Sequence, residues 1–149
     1  MNKINSIDEK LVRLLGRNAQ QNSETLAKQL NVSAATVRRK LKKLIQSGSL
    51  RIVGVADPSE FGYPMGVVIT LDMEHDKIEE AMRVLAKRPE IGWLSSTTGR
   101  YDIIAVGGFS STEGLSHFLT RELAKLEGLR GSETFVVLDN KKGHFIPLT

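Results

Sequence analysis

Cysteine is absent from this 149-residue chain, which removes disulfides, thiolate metal ligands and cysteine nucleophiles together and suits a reducing compartment. Long apolar runs are absent too. The longest, Gly66-Val-Val-Ile-Thr-Leu71, falls far short of the roughly 20 residues that cross a bilayer. The opening Met1 to Glu9 has neither an apolar core nor a small-residue cleavage site, so no signal peptide and no membrane partner are expected, and the chain reads as soluble and cytoplasmic. His75, His117 and His144 are scattered without a second ligand at metal spacing. Gly107-Gly108 opens no phosphate loop, and no dinucleotide fingerprint occurs. Apart from Asp102, no carboxylate stands out from the surface load, so no catalytic residue, metal or cofactor is nominated.

What is present is a charge asymmetry. Residues 1 to 56 carry 11 Lys and Arg against 3 Asp and Glu, a net +8, while the remainder carries 10 against 14, a net −4. A basic module joined to a mildly acidic one points to a polyanionic partner for the first module alone.

Three short helices are predicted in the basic part. Ser6-Ile-Asp-Glu9 has the form of a capping box at the start of a helix from about Ile7 to Gly16, with Leu11, Leu14 and Leu15 on its apolar face. Asn22 or Ser23 caps a second helix that runs to Leu30 and turns its Leu26, Ala27 and Leu30 inward. Asn31-Val32 makes a tight turn, and Ser33 caps a third helix that ends near Ser47 at Gly48. In that helix Val37, Leu41, Leu44 and Ile45 form one apolar stripe. Ala35, Thr36, Arg38, Arg39, Lys42 and Lys43 then face outward, with Lys40 nearer the edge. Five cations without an intervening Glu repel one another unless an anion is expected. Two helices, a tight turn and a cationic second helix make a helix-turn-helix, whose second helix enters the major groove of double-stranded DNA.

Leu50 to Val55 reads as a connecting strand, and the prolines and glycines from Pro58 to Pro64 as a hinge. Beyond it strands and helices alternate: strand Val67 to Met73, helix Lys77 to Lys87, strand Ile91 to Thr97, turn Gly99 to Asp102, strand Ile103 to Gly107, helix Glu113 to Leu126 and strand Ser132 to Leu138. The order βαββαβ is that of a ferredoxin-like sandwich, with two helices on one face of an antiparallel sheet and the other face open. The expected fold class is α+β, with a winged-type helix-turn-helix domain over residues 1–50, a connecting strand and hinge over 51–64, and a ferredoxin-like domain over 65–149. Trp93, Phe109, Phe118 and Phe135 fall at positions suited to a core or an interface.

This arrangement resembles the Lrp/AsnC family of transcriptional regulators over almost the whole chain. The resemblance rests on Ile7-Asp8 through Leu14-Leu15, Leu26-Ala27 through Leu30-Asn-Val-Ser33, Thr36-Val37-Arg38-Arg39-Lys40-Leu41-Lys42-Lys43-Leu44 and Thr98-Gly99-Arg-Tyr-Asp102. Thr25 and Ile45 depart from it, since the family often carries acidic residues at those two positions. The resemblance implies a dimer built through the C-terminal domains, assembly in some cases to tetramers or octamers, and a small effector, commonly an amino acid, at an interface between those domains.

On the recognition helix Ala35, Thr36, Arg38 and Arg39 sit where base edges are read, Lys42 and Lys43 suit phosphates, and Ser23, Ser33 and the helix N-termini can add phosphate contacts. Thr97, Thr98, Gly99, Tyr101 and Asp102 can form an effector pocket, an ionised Asp holding an ammonium group and hydroxyls or backbone N–H groups a carboxylate. Ser132, Glu133 and Thr134 at the start of the last strand can complete it from a neighbouring subunit. The same Gly-x-x-Asp pattern also serves simply to close a hairpin. Two rival readings are a tetrapyrrole decarboxylase on the same two-domain frame, which needs His and Arg converging on a large cleft, and an RNA module stacking bases on the sheet, for which no strand has the aromatic pattern.

Overall fold

The computed structural model describes residues 5–141, so expectations for the C-terminal tail and for His144 lie outside the described residues. The chain divides between Val53 and Gly54 into two compact units.

The first unit consists of α1 (Ser6–Arg17), α2 (Ser23–Leu30) and α3 (Ala34–Gln46). The cap of α1 is Asn5, one residue ahead of the expected Ser6. Its Oδ1 accepts from the N–H groups of Ile7 and Asp8 at 3.1 and 3.0 Å, and the Asp8 carboxylate accepts from the Asn5 N–H at 3.2 Å. Both residue pairs satisfy the capping pattern, but Asp8 is also gripped by Lys40 of α3, and the pair with a tertiary partner prevails. Asn22 caps α2 and Ser33 caps α3, accepting from the N–H groups of Thr25 and Thr36 at 2.8 and 3.1 Å. Each such cap contributes about 1 kcal/mol. Asn31 takes the left-handed conformation, φ 54° and ψ 49°, which Asn tolerates better than most residues, and the Val32 N–H returns to the Ala27 carbonyl at 3.1 Å.

Leu11, Leu15, Leu26, Ala27, Val37 and Leu44 are buried together between the three helices. Ile45, expected in that stripe, is instead 49% exposed: a step of roughly 100° from Leu44 carries it off the buried face. The strand expected over Leu50 to Val55 does not form either. Residues 50–57 have no regular structure, and Ile52, Val53 and Val55 stay exposed. Alternating apolar residues make a strand only against a partner strand, and none pairs with them among the described residues.

The second unit contains β1 (Met65–Met73), α4 (Ile78–Leu85), β2 (Ile91–Ser96), β3 (Ile103–Phe109), α5 (Thr112–His117) and β4 (Leu129–Val136). Its sheet has the order β2-β3-β1-β4 with all neighbours antiparallel, the ferredoxin-like arrangement expected. β4 starts three residues before the expected Ser132. Val67, Ile69, Leu71, Met73, Ile103, Ala105 and Phe109 face α4 and α5 and form the core with Ala81, Leu85, Leu115 and Phe118. Gly107 admits no side chain, because a Cβ there would lie 2.5 Å from the Glu90 carbonyl oxygen of the neighbouring strand entry.

The helix expected over Glu113 to Leu126 changes pitch twice: α5 passes into a wide π turn at Phe118–Glu122 and a tight 3-10 turn at Leu123–Lys125. Phe118 and Leu123 are five residues apart, roughly 140° out of phase on an α-helix. The wider turn lets both be buried.

On the opposite face of the sheet, Trp93, Val106, Val68 and Phe135 line up across all four strands. Trp93 and Phe135, expected in a core or an interface, are 46% and 52% exposed.

Candidate DNA interface and effector turn

The outward face of α3 carries Ala35, Arg38, Arg39, Lys42 and Lys43, all exposed. Thr36 is half-buried, and its hydroxyl is 2.9 Å from that of the capping Ser33. Ser23 is half-buried at the first position of α2, behind the capping Asn22.

Two of the five cations of α3 have carboxylate partners on other helices. Arg38 Nη1 donates to Glu24 Oε1 of α2 at 3.0 Å, an exposed contact. Lys40 Nζ donates to Asp8 Oδ1 of α1 at 2.7 Å and to Asn5 Oδ1 at 3.3 Å. The Lys40 side chain is only 15% exposed, so it serves the packing of α3 on α1. The hydrogen bond from Lys40 above all, with the Asn5 N–H and the charges of Lys40 and Lys43, holds the Asp8 carboxyl below its usual value against the opposing effect of burial. Among the described residues no carboxylate lies within 4.0 Å of Arg39, Lys42 or Lys43. Arg39 and Lys43 line a shallow recess of about 250 Å³ with Asn5, Asp8 and Lys40. Neither Asp8 nor Glu24 carries a local mark of these roles, since their partners lie on separate helices.

The turn between β2 and β3 brings Thr97, Tyr101 and Asp102 together. The Thr97 hydroxyl donates to the Tyr101 carbonyl at 2.7 Å, and the Thr97 N–H to the Asp102 carbonyl at 2.8 Å. Gly99 has φ +112°, a conformation few side chains adopt, and Thr98 is exposed beside it. Asp102 Oδ2 accepts from the Met73 N–H at 2.8 Å, while the Asp102 N–H donates to the Leu71 carbonyl at 2.9 Å. Part of the carboxylate therefore closes the end of β1, the structural use of the Gly-x-x-Asp pattern.

Ser132 and Thr134 pair with Leu71 and Ile69, on the helix-covered face. Side chains alternate along a strand, so Glu133 is on the open face opposite Thr70. There the Arg100 guanidinium stacks 5.2 Å from the Tyr101 ring centre and lies 3.6 Å from Glu133. The Tyr101 hydroxyl is enclosed without a hydrogen bond of good geometry. The nearby Glu133 carboxylate, followed by burial, pushes its pKa up from the phenol value. Within one chain, then, the turn meets Arg100 and Glu133, and Ser132 and Thr134 point to the other face. Arg100 sits inside the turn from Gly99 to Asp102, and its contacts with Tyr101 and Glu133 are what distinguish it.

Comparison with known proteins agrees with this geometry. A family model described as the AsnC-type helix-turn-helix domain matches residues 4–45, and one described as the Lrp/AsnC ligand binding domain matches residues 66–146. An uncharacterised HTH-type transcriptional regulator of Pyrococcus abyssi is 29% identical over 141 residues, covering 94% of this chain and 89% of the relative. The HTH-type transcriptional regulator Ptr1 of Methanocaldococcus jannaschii is 28% identical over 147 residues, covering 97% and 99%. Among solved structures, Escherichia coli AsnC superposes with a TM-score of 0.83 at 26% identity over 97% of this chain and 99% of that one. A transcriptional regulator of Neisseria meningitidis, solved as a complex with L-Met, superposes with a TM-score of 0.85 at 21% identity over 98% and 97%. With both halves matched and the two-unit fold shared, the chain belongs to the Lrp/AsnC family of helix-turn-helix transcriptional regulators.

Proposed function

We propose that this regulator acts in the cytoplasm as a homodimer that reads two DNA half-sites through α3 and is tuned by an amino-acid effector at the ligand-binding domain. The observation that carries the DNA reading is the exposed row of Arg38, Arg39, Lys42 and Lys43 on a helix whose other face is locked into the core. Arg38 and Arg39, in the N-terminal half of α3, are the base readers, and Ala35 and Thr36 line the same edge. Lys42 and Lys43 hold phosphates, as do Ser23 and the Ser33-capped helix start. Self-association is supported by the apolar row Trp93-Val106-Val68-Phe135 on the open sheet face, with further assembly to tetramers or octamers through other surfaces.

The effector reading is supported by the Thr97 to Asp102 turn and by the L-Met bound to the Neisseria neighbour. Tyr101 and Asp102 with Thr97, Thr98 and Gly99 supply one wall, and Ser132 and Thr134 of a second subunit the other. Replacing Arg38 and Arg39 together by Ala is expected to abolish retardation of a selected operator while leaving the sedimenting species unchanged. Undiminished operator affinity in that variant would refute the DNA assignment. Selection of bound genomic fragments with and without an amino-acid mixture tests the effector, and identical fragment sets and affinities count against it.

A further inference from the structure

Of the two outward arginines of α3, only Arg38 has a carboxylate partner among the described residues. Its Nη1 is 3.0 Å from Glu24 Oε1, and the two side chains are 60% and 62% exposed. An exposed ion pair adds little to stability. A bare Glu beside phosphates lowers affinity for DNA, so simple attraction does not account for a carboxylate at this point. Glu24 sits in the first turn of α2, where the helix dipole favours a negative charge.

Its single contact leaves the other N–H groups of the guanidinium unclaimed. An untethered arginine swings to whichever phosphate is nearest. One held at Nη1 keeps its plane and presents its remaining donors in a fixed direction, as bidentate recognition of guanine O6 and N7 requires. Resting on the reading of α3 as the base-reading helix, we infer that Glu24 is a specificity-determining residue. It touches no base; it orients Arg38 toward the base edge and withholds it from phosphates. Arg39, without a carboxylate within 4.0 Å among the described residues, is the more adaptable of the pair.

Full-length wild type, Glu24→Ala, Arg38→Ala and the double variant are compared in parallel selections from a random duplex library. Affinities for the selected and for an unrelated duplex are then measured at one salt concentration. Arg38→Ala is expected to lose preference at one base position per half-site. Glu24→Ala is expected to lose about fivefold or more of the preference at the same position, while its affinity for the unrelated duplex rises. In the double variant Glu24→Ala adds no further loss, the signature of coupled residues. Alanine suits a helix, and unchanged melting by circular dichroism confirms the fold.

If Glu24→Ala strengthens binding to both duplexes by one factor and keeps the preference, Glu24 is only a repulsive charge and the inference is overturned. If Arg38→Ala loses preference nowhere, Arg38 reads no base. That outcome removes the underlying assignment as well and is distinguished by the Arg38 arm alone.

Discussion

Lys40 reads from the sequence as one more cation on a cationic helix, yet in the fold its side chain is spent on Asp8. The 2.7 Å contact is sheltered, with the two side chains 15% and 13% exposed. Its influence depresses the Asp8 pKa. A carboxylate depressed in the folded state adds stability that is fully present above its unfolded pKa, near 3.9, and is lost as pH falls through the folded value. Asp8→Asn is therefore expected to weaken the first unit at neutral pH, leaving Lys40 without its charge partner. The gap from wild type should begin to shrink as pH falls below about 5, near the unfolded value, and close only as pH passes through the lowered folded value, where the wild-type carboxylate too loses its charge. Urea titrations followed at 222 nm across that range measure the gap, and one that stays constant with pH would show that the ion pair contributes nothing. Sequence periodicity placed Lys40 at the edge of the outward face, but not its partner. Asp8 is 32 positions away, and which faces of two helices meet is a property of packing.

Helices and their caps were legible wherever the pattern was local. The starts of α2 and α3, the Asn31 turn and the buried Val37 and Leu44 follow from 3.6-residue spacing and short polar side chains. The ends of the stripe were less so: Ile45 is half exposed, at a position where the family often carries an acidic residue. In the second unit, Leu115, Phe118 and Leu123 are buried, but the π turn that buries the last two together is a cooperative adjustment that no single residue announces. At the candidate site the cations were visible and their neutralising partners were not.

On the proposed reading, the C-terminal half of α3 holds phosphates. Lys42 and Lys43 are exposed with no carboxylate within 4.0 Å among the described residues. Replacing either by Ala should weaken operator and unrelated DNA by similar factors and lower the slope of log affinity against log salt by about 1. Fluorescence anisotropy at several salt concentrations checks this; an unchanged slope with an altered base preference would move that lysine from phosphate to base.

Each of the two units has its own core, and the cores are unequal. Among the described residues the first has six buried residues in its apolar cluster, from Leu11 to Leu44, and the second has thirteen. A unit of about 50 residues buries only some 60% of its unfolded surface, so it is marginal. Leu26 lies wholly inside the smaller core, and truncation to Ala at such a site costs roughly 2–5 kcal/mol, comparable to the whole stability of a small domain. The two units also report separately. No aromatic residue precedes Phe61 and the single Trp is Trp93, so tryptophan emission follows the second unit. Helices of 12, 8 and 13 residues in the first unit, against 8 and 6 in the second with turns of 5 and 3 continuing the latter, give α1 to α3 the larger share of the 222 nm signal. Leu26→Ala should thus lower the midpoint of the 222 nm transition and abolish DNA binding while the Trp93 transition and the sedimentation coefficient hold. If both transitions fall together, the units unfold as one cooperative body, and the DNA-binding half draws its stability from the rest of the chain.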